Sequence, residues 1–358
     1  MDDLETILAA TDADAVVVRA LPEFSAWLFI ALDDLGPGIA VGGTRLRSYD
    51  SAAEGLRDAL RLAAGMTRKW AALGADKGGG KGVIALGRPL DGDERREVLG
   101  RYGTLVESLR GTFGTGPDLG ITADDLRHLA AHTSMVHGLH PDGTIEDAGP
   151  YTAHGVRVAI EVALTEVGHA GLASAAVWID GVGSVGGNLA RMLRAAGARV
   201  TVSDIDGAKA ERVAREIGGT VLPFEAALRE EWDVFSPCAV GGIVDRAFAE
   251  RVRTRIIAGA ANDTLADESV ADILFERGIV EAPDFIVNGG AAIALGAFGE
   301  AVRRAAGGAI DRDALFGEVD AIGERVAMLF ARAKELGAPP SRVARAWVDE
   351  RIAARRAR

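Results

Sequence analysis

Two lysines set among glycines are the residues best placed to do chemistry. In GMTRKWAALGADKGGGKG (65–82), Lys69 closes a helical stretch and Lys81 follows a triple glycine. An enclosed ammonium loses hydration, so its pKa falls and it can act as a base near neutral pH. TGPDLG (115–120) supplies a carboxylate, Asp118, between a proline and a glycine at a strand's end. VGGTR (41–45) adds the glycine pair Gly42 and Gly43, where backbone can come close to a ligand. Any one of these lysines alone reads as a solvated surface charge. Together the three motifs indicate a site for amine or carbonyl chemistry.

A second site is of a different kind. GVGSVG (181–186) follows a strand and opens a helix. Gly181 allows the tight turn, Gly183 lets a pyrophosphate approach the backbone, and Gly186 permits close helix–strand packing, with Ser184 and Val185 between them. The diphosphate then meets the free N–H groups and dipole of the helix N-terminus. Asp204 ends the next strand, 23 residues after Gly181. The acid that takes the ribose hydroxyls is expected roughly 20 residues on. A carboxylate repels a 2′-phosphate, and the first cation after it is Lys209, so NAD is expected over NADP.

The elements that must position these residues alternate. Strand patterns at 15–21, 26–33, 38–46 and 82–86 are interleaved with helical ones at 51–69, 93–109 and 122–135. Ser51 with Glu54, and Thr122 with Asp125, are expected caps. The stretch 138–150 has no periodicity and marks a boundary. Beyond it a helix (153–167) leads into strand, glycine turn and helix, and the alternation continues through 198–204, 232–238, 254–262 and 282–290. That order predicts an α/β protein with a parallel, doubly wound sheet. The expected domains are 1–142, rejoined by C-terminal helices at 318–358, and a Rossmann-type unit over 143–317.

Composition narrows the class. The 358 residues, 48% hydrophobic and 26% charged, fit a globular protein of two domains rather than a disordered chain. A net charge of −12 disfavours nucleic acid or an anionic membrane as partner. The basic terminus (Arg351, Arg355, Arg356, Arg358) reads as a solvated helix end. One cysteine, Cys238, excludes an intrachain disulfide, and no apolar run is long enough to span a bilayer, so a cytoplasmic protein is expected. The acidic beginning lacks the basic segment of a signal peptide. His128 and His132 lie four apart in HLAAH, but no third ligand or glutamate accompanies them, so no metal site is expected.

GGTR (42–45), GMTRK (65–69), GGGKGVI (78–84), PDLG (117–120), TAHGV (152–156), GVGSVGG (181–187), SPCAVGG (236–242), GAAND (259–263) and APDFIVNGG (282–290) resemble, in order, the amino-acid dehydrogenases of the Glu/Leu/Phe/Val type. The resemblance covers roughly residues 30 to 300. It implies that Lys69 binds the substrate α-carboxylate beside Gly42 and Gly43, that Lys81 activates the water attacking the imine, and that Asp118 moves protons to and from the amine. Asn262 would hold substrate and nicotinamide, Thr152 would contact the carboxamide, and Cys238, Ala239 and Asn288 would line the cofactor cleft. For Cys238 an inert buried thiol is equally compatible. The implied reaction is NAD-dependent, reversible oxidative deamination of an L-amino acid to a 2-oxo acid and ammonia, by a homo-oligomer.

The chain departs from the family pattern at Asp76–Lys77 before the triple glycine, at Asp263 after Asn262, and in NGGA at 288–291. By resemblance Val41, Gly116, Ala292 and Leu295 line the side-chain pocket. Gly116 and Ala292 match the phenylalanine-type pattern, and Val41 narrows the space. Such a pocket has no cation for glutamate, whose carboxylate would be buried unpaired. Phenylalanine or another bulky apolar amino acid is therefore expected first. The alternatives are a leucine or valine enzyme, or an idle NAD-binding sensor on the same fold. An NAD enzyme of hydroxy acids would use a histidine, and no histidine of the first domain falls in these motifs.

Overall fold

Residues 4–139, 144–296 and 311–357 are described in the computed structural model, and they form two units, Met1–Glu146 with Glu350–Arg358, and Asp147–Asp349. The first unit contains strands β1 (Ala15–Leu21), β2 (Ala26–Leu32), β3 (Ala40–Ser48), β4 (Gly78–Leu86) and β5 (Phe113–Pro117). Its helices are α1 (Leu4–Ala9), α2 (Ala52–Ala72), α3 (Gly92–Ser108) and α4 (Ala123–Ala130). The sheet order is β1-β2-β4-β3-β5, with β3 parallel to both neighbours and the β1–β2 and β2–β4 pairs antiparallel.

Alternation along these strands sends residues to two cores. Phe29, Val83 and Ala85 pack on Leu56, Ala59 and Ala63 of α2, whereas Leu28, Ile30, Ile84 and Phe113 pack on Leu99, Tyr102 and Val106 of α3. The helix starts follow the expected caps: Ser51 accepts from the Glu54 amide, and Thr122 forms a capping box with Asp125.

The strand expected at 82–86 begins earlier and takes in the glycines before Lys81. Gly78–Leu86 is one strand, buried along its whole length. A Cβ at Gly79 would lie 2.2 Å from the Thr67 amide nitrogen and 2.3 Å from the Ala63 carbonyl oxygen, so α2 can sit this close only over a bare strand.

The second unit contains β6 (Ala176–Asp180), β7 (Arg199–Ser203), β8 (Thr220–Val221), β9 (Glu231–Pro237), β10 (Arg253–Ile257) and β11 (Val280–Glu281). All pair in parallel, in the order β11-β10-β9-β6-β7-β8. This is the doubly wound arrangement, in which strand order reverses at β6. Its helices are α5 (Gly149–Glu166), α6 (Ser184–Ala195), α7 (Gly207–Ile217), α8 (Phe224–Ala227), α9 (Arg246–Arg251), α10 (Ser269–Glu276), α11 (Asp284–Val287), α12 (Gly290–Leu295) and α13 (Arg312–Leu336), followed by α14 (Pro340–Arg356). Trp178, Phe235 and Phe248 centre its core.

Three details differ from the sequence reading. APDFIVNGG is not a strand; Pro283 starts a short helix and the strand is confined to Val280–Glu281. Residues 318–358 divide: α13 lays Val319 and Ile322 against Gly155 of α5, and only Glu350–Arg358 groups with the first unit. The basic terminus is not a solvated end, because Arg355 pairs with Asp34, which is fully buried, and Arg351 donates to the Ala71 carbonyl. Arg358 lies outside the described residues. Among the described residues no helix is long and apolar enough to cross a membrane.

Candidate active site

In the first unit β4 carries Lys81 to the residue that follows β5. Lys81 Nζ lies 2.5 Å from Asp118 Oδ2, with the lysine side chain only 8% exposed. Arg45 on β3 donates from Nε to the same Oδ2 at 3.2 Å and from Nη1 to Asp58 Oδ2 of α2 at 3.0 Å. The Tyr49 hydroxyl donates to Asp58 Oδ2 at 2.7 Å. Burial pushes the Lys81 pKa below the ordinary lysine value; Asp118 opposes this and Arg45 adds to it. Burial pushes Asp118 upward, but Lys81 and Arg45 outweigh it and hold the carboxyl below its ordinary value. The result is an enclosed carboxylate shared by two cations, one of which can release a proton.

Gly43 makes this approach possible. A Cβ there would stand 2.7 Å from the Pro117 carbonyl oxygen and 3.0 Å from Asp118 Cβ. Gly42 is packed as tightly, with the Gly80 carbonyl oxygen 1.7 Å from its missing Cβ. Gly43 is registered opposite Gly116 across the β3–β5 ladder. Val41 is buried, and its carbonyl accepts from Trp70 Nε1 at 2.9 Å. Lys69 stands half-buried in the last turn of α2. A Cβ on Gly116 would meet the His137 carbonyl oxygen at 3.4 Å, so the room beside this glycine is bounded by main chain.

In the second unit the glycine turn is built as its spacing implies. Gly181 has φ +90°, and a Cβ there would strike Ala239 at 2.6 Å. A Cβ on Gly186 would lie 1.9 Å from the Gly181 carbonyl oxygen and 3.1 Å from Cys238 Cβ. Gly183 caps α6 and meets nothing nearer than Lys209 Nζ at 3.9 Å, which leaves open space over the helix N-terminus. Ser184 donates to Asp147 at 3.2 Å, and Val185 is half-buried behind it. Asp204 accepts from the Val182 and Asp206 amides at 2.9 and 3.0 Å, directly below the turn. Lys209, five residues on in sequence, reaches within 3.5 Å of Asp204.

Farther along, Asn288 donates to Asn262 Oδ1 at 2.9 Å, while its own Oδ1 is buried without a partner. Thr152, 7% exposed, lies against Gly290, whose Cβ would come 3.0 Å from Thr152 Cα. An orphaned buried acceptor and an open glycine turn are features a dinucleotide would satisfy. Cys238 is pushed up to about 11 by burial and so carries no thiolate near neutrality. Ala292 is half-buried in α12; the Leu295 side chain lies outside the described residues. The His128 and His132 rings pack edge-on at 4.9 Å, and His128 Nε2 meets the Arg96 carbonyl, an arrangement that is structural.

Residues 20–137 match the family model described as Glu/Leu/Phe/Val dehydrogenase, dimerisation domain. Leucine dehydrogenase of Geobacillus stearothermophilus is 34% identical over 327 residues, 90% of this chain and 86% of that protein. Phenylalanine dehydrogenase of Lysinibacillus sphaericus is 37% identical over 271 residues, 74% of this chain and 71% of that one. The crystal structure of L-tryptophan dehydrogenase from Nostoc punctiforme superposes with a TM-score of 0.81 at 32% identity, covering 99% of this chain and 100% of that one.

The chain belongs to the Glu/Leu/Phe/Val dehydrogenase family. It is an amino-acid dehydrogenase, an oxidoreductase that takes a small-molecule amino acid, with NAD as its cofactor. Sequence reasoning passed over Arg45, Asp58 and Tyr49. The available signal was the last residue of VGGTR, which was read for its glycines.

Proposed function

We propose that this dehydrogenase deaminates a bulky apolar L-amino acid, phenylalanine ahead of leucine and valine, to its 2-oxo acid and ammonia. The contact of Lys81 with Asp118 carries the reading, because it joins a buried lysine of lowered pKa to an ionised carboxylate. In this reading Lys69 holds the substrate α-carboxylate, flanked by Gly42 and Gly43. Lys81, unprotonated, takes the proton from the water that attacks the imine carbon. Asp118 exchanges a proton with the nitrogen that leaves as ammonia. The α-carbon would give up its hydride to NAD, which would supply the oxidising power. Gly181, Gly183, Ser184, Val185 and Gly186 hold its diphosphate and Asp204 its adenosine ribose, while Thr152, Cys238, Ala239, Asn262 and Asn288 surround the nicotinamide. The first unit is thus the substrate domain and the second the cofactor domain.

In the first unit Gly116 favours phenylalanine by adding no side-chain bulk; Val41, Ala292 and Leu295 keep only the lining roles that the resemblance implies. A methylene in an apolar pocket discriminates by only about 1–3 kcal/mol, so leucine and valine are graded competitors. The main chain of His137 beside Gly116 favours leucine as a second reading, by limiting the room there. Homo-oligomeric assembly, consistent with the dimerisation domain of the matching family model, and a cytoplasmic location belong to the same proposal. A panel of L-amino acids with NAD at alkaline pH, read as absorbance of the reduced cofactor, tests it. The highest kcat/KM should fall on phenylalanine. Leucine in first place would put the size limit at the His137 main chain beside Gly116 or at Val41, and glutamate in first place would overturn the apolar pocket.

A further inference from the structure

The acid–base pair does not stand alone. Both Lys81 and Arg45 converge on one oxygen of Asp118, at 2.5 and 3.2 Å. Arg45 is itself anchored at its other end, 3.0 Å from Asp58, and Asp58 is held by the Tyr49 hydroxyl and by Arg61 at 2.9 Å. The Arg45 and Asp58 side chains are 17% and 14% exposed, so this chain of contacts is largely screened from water. It joins β3, α2 and the residue after β5 in a line ending at Lys81.

We propose that Arg45 is a positioning residue of the reaction: braced by Asp58, it fixes the Asp118 carboxylate against Lys81 before substrate arrives. The proposal rests on the roles given above to Lys81 and Asp118. A guanidinium suits the task because its rigid planar fork spreads its donors, so Nε and Nη1 meet two carboxylates in a fixed geometry, where an ammonium is a compact point charge on a flexible stem. The charges support it. Asp118 alone would draw Lys81 toward its protonated form; Arg45 shares that carboxylate and repels the ammonium, favouring the free amine. Asp58, also facing Lys81, acts in the opposite sense, and its carboxylate is held by Arg45, Arg61 and Tyr49.

Arg45→Ala, Arg45→Lys and Asp58→Asn test this, with Lys81→Ala and Asp118→Asn measured alongside. Misplacing a reacting group by about 1 Å can reduce rate on the order of 10²-fold, so Arg45→Ala should lose kcat on that scale while NAD binding stays unchanged. Arg45→Lys should recover part of the loss, and guanidinium ion in the millimolar range should restore turnover to Arg45→Ala. The ascending limb of its pH–rate profile should move to higher pH. If Arg45→Ala does not fold, Asp58→Asn carries the test, with a smaller loss of kcat expected from the unbraced arginine. Unchanged kcat in the folded Arg45→Ala variant, or in Asp58→Asn when Arg45→Ala does not fold, overturns the inference. So does a loss that neither guanidinium nor lysine reverses. Active Lys81→Ala and Asp118→Asn enzymes would instead sink the underlying assignment of roles, which keeps the two failures apart.

Discussion

In the first unit glycine occupies the middle of buried strands, whereas in the second it marks the turn between a strand and a helix. The first arrangement removes side chains so that α2 can settle onto β4 and so that β3 can approach Asp118, as the Cβ positions of Gly79 and Gly43 show. The second provides a left-handed turn at Gly181 and open space at Gly183 above a helix end. Bare strands therefore position buried charges, and a bare turn leaves room for a ligand. The same residue type serves enclosure in one sheet and access in the other.

Substitutions can break this contrast, and the largest effect should come from the enclosed charges. Asp118→Asn should reduce kcat on the order of 10²-fold or more, because the amide can no longer exchange the amine proton. Steady-state rates at saturating amino acid measure it. Next come the glycines. Gly79→Ala should prevent stable folding, since its methyl would stand 2.2 Å from a backbone nitrogen of α2. Gly183→Ala should fold normally and raise the KM for NAD, and a thermal melt of each variant separates the two outcomes.

Arg355→Ala should destabilise the first unit by about 3–5 kcal/mol, because it strands the buried Asp34 carboxylate without its partner. Urea unfolding would show the loss, and an unchanged midpoint would mean that water replaces the arginine.

The second unit should show a pH dependence. Burial pushes Glu281 from its ordinary 4.5 up to about 8, so the folded state binds a proton that the unfolded state releases. Its contribution to stability is therefore complete below 4.5 and is lost as pH rises toward about 8. The melting temperature should decline across that window, and Glu281→Gln should flatten the slope.

Legibility in the sequence followed the same division. The second unit was readable because its chemistry obeys a spacing, with glycine turn, helix and Asp204 in sequence and one strand apart. The capping residues Ser51 and Thr122 were readable for the same local reason. APDFIVNGG was misread because apolar content alone does not separate a short helix from a strand. In the first unit the identities of Lys81 and Asp118 were visible, but their partner was not. Arg45 meets Asp118 from 73 residues away, and a long-range ion pair leaves no periodic trace. The triple glycine reads in sequence as a cradle around a lysine, whereas in the fold its neighbours use it as absent bulk along a strand.

The central claim is that chemistry resides in the Lys81–Asp118 pair and that the glycine turn of the second unit holds the cofactor. Steady-state turnover of Lys81→Ala tests it most directly, following the absorbance of reduced cofactor over many cycles with NAD and L-phenylalanine both saturating. NAD affinity, measured by titration on the same sample, should match that of the unaltered enzyme, while kcat should fall on the order of 10²-fold or more, because imine hydrolysis stalls each cycle. Turnover within a few-fold of the unaltered rate would contradict the account.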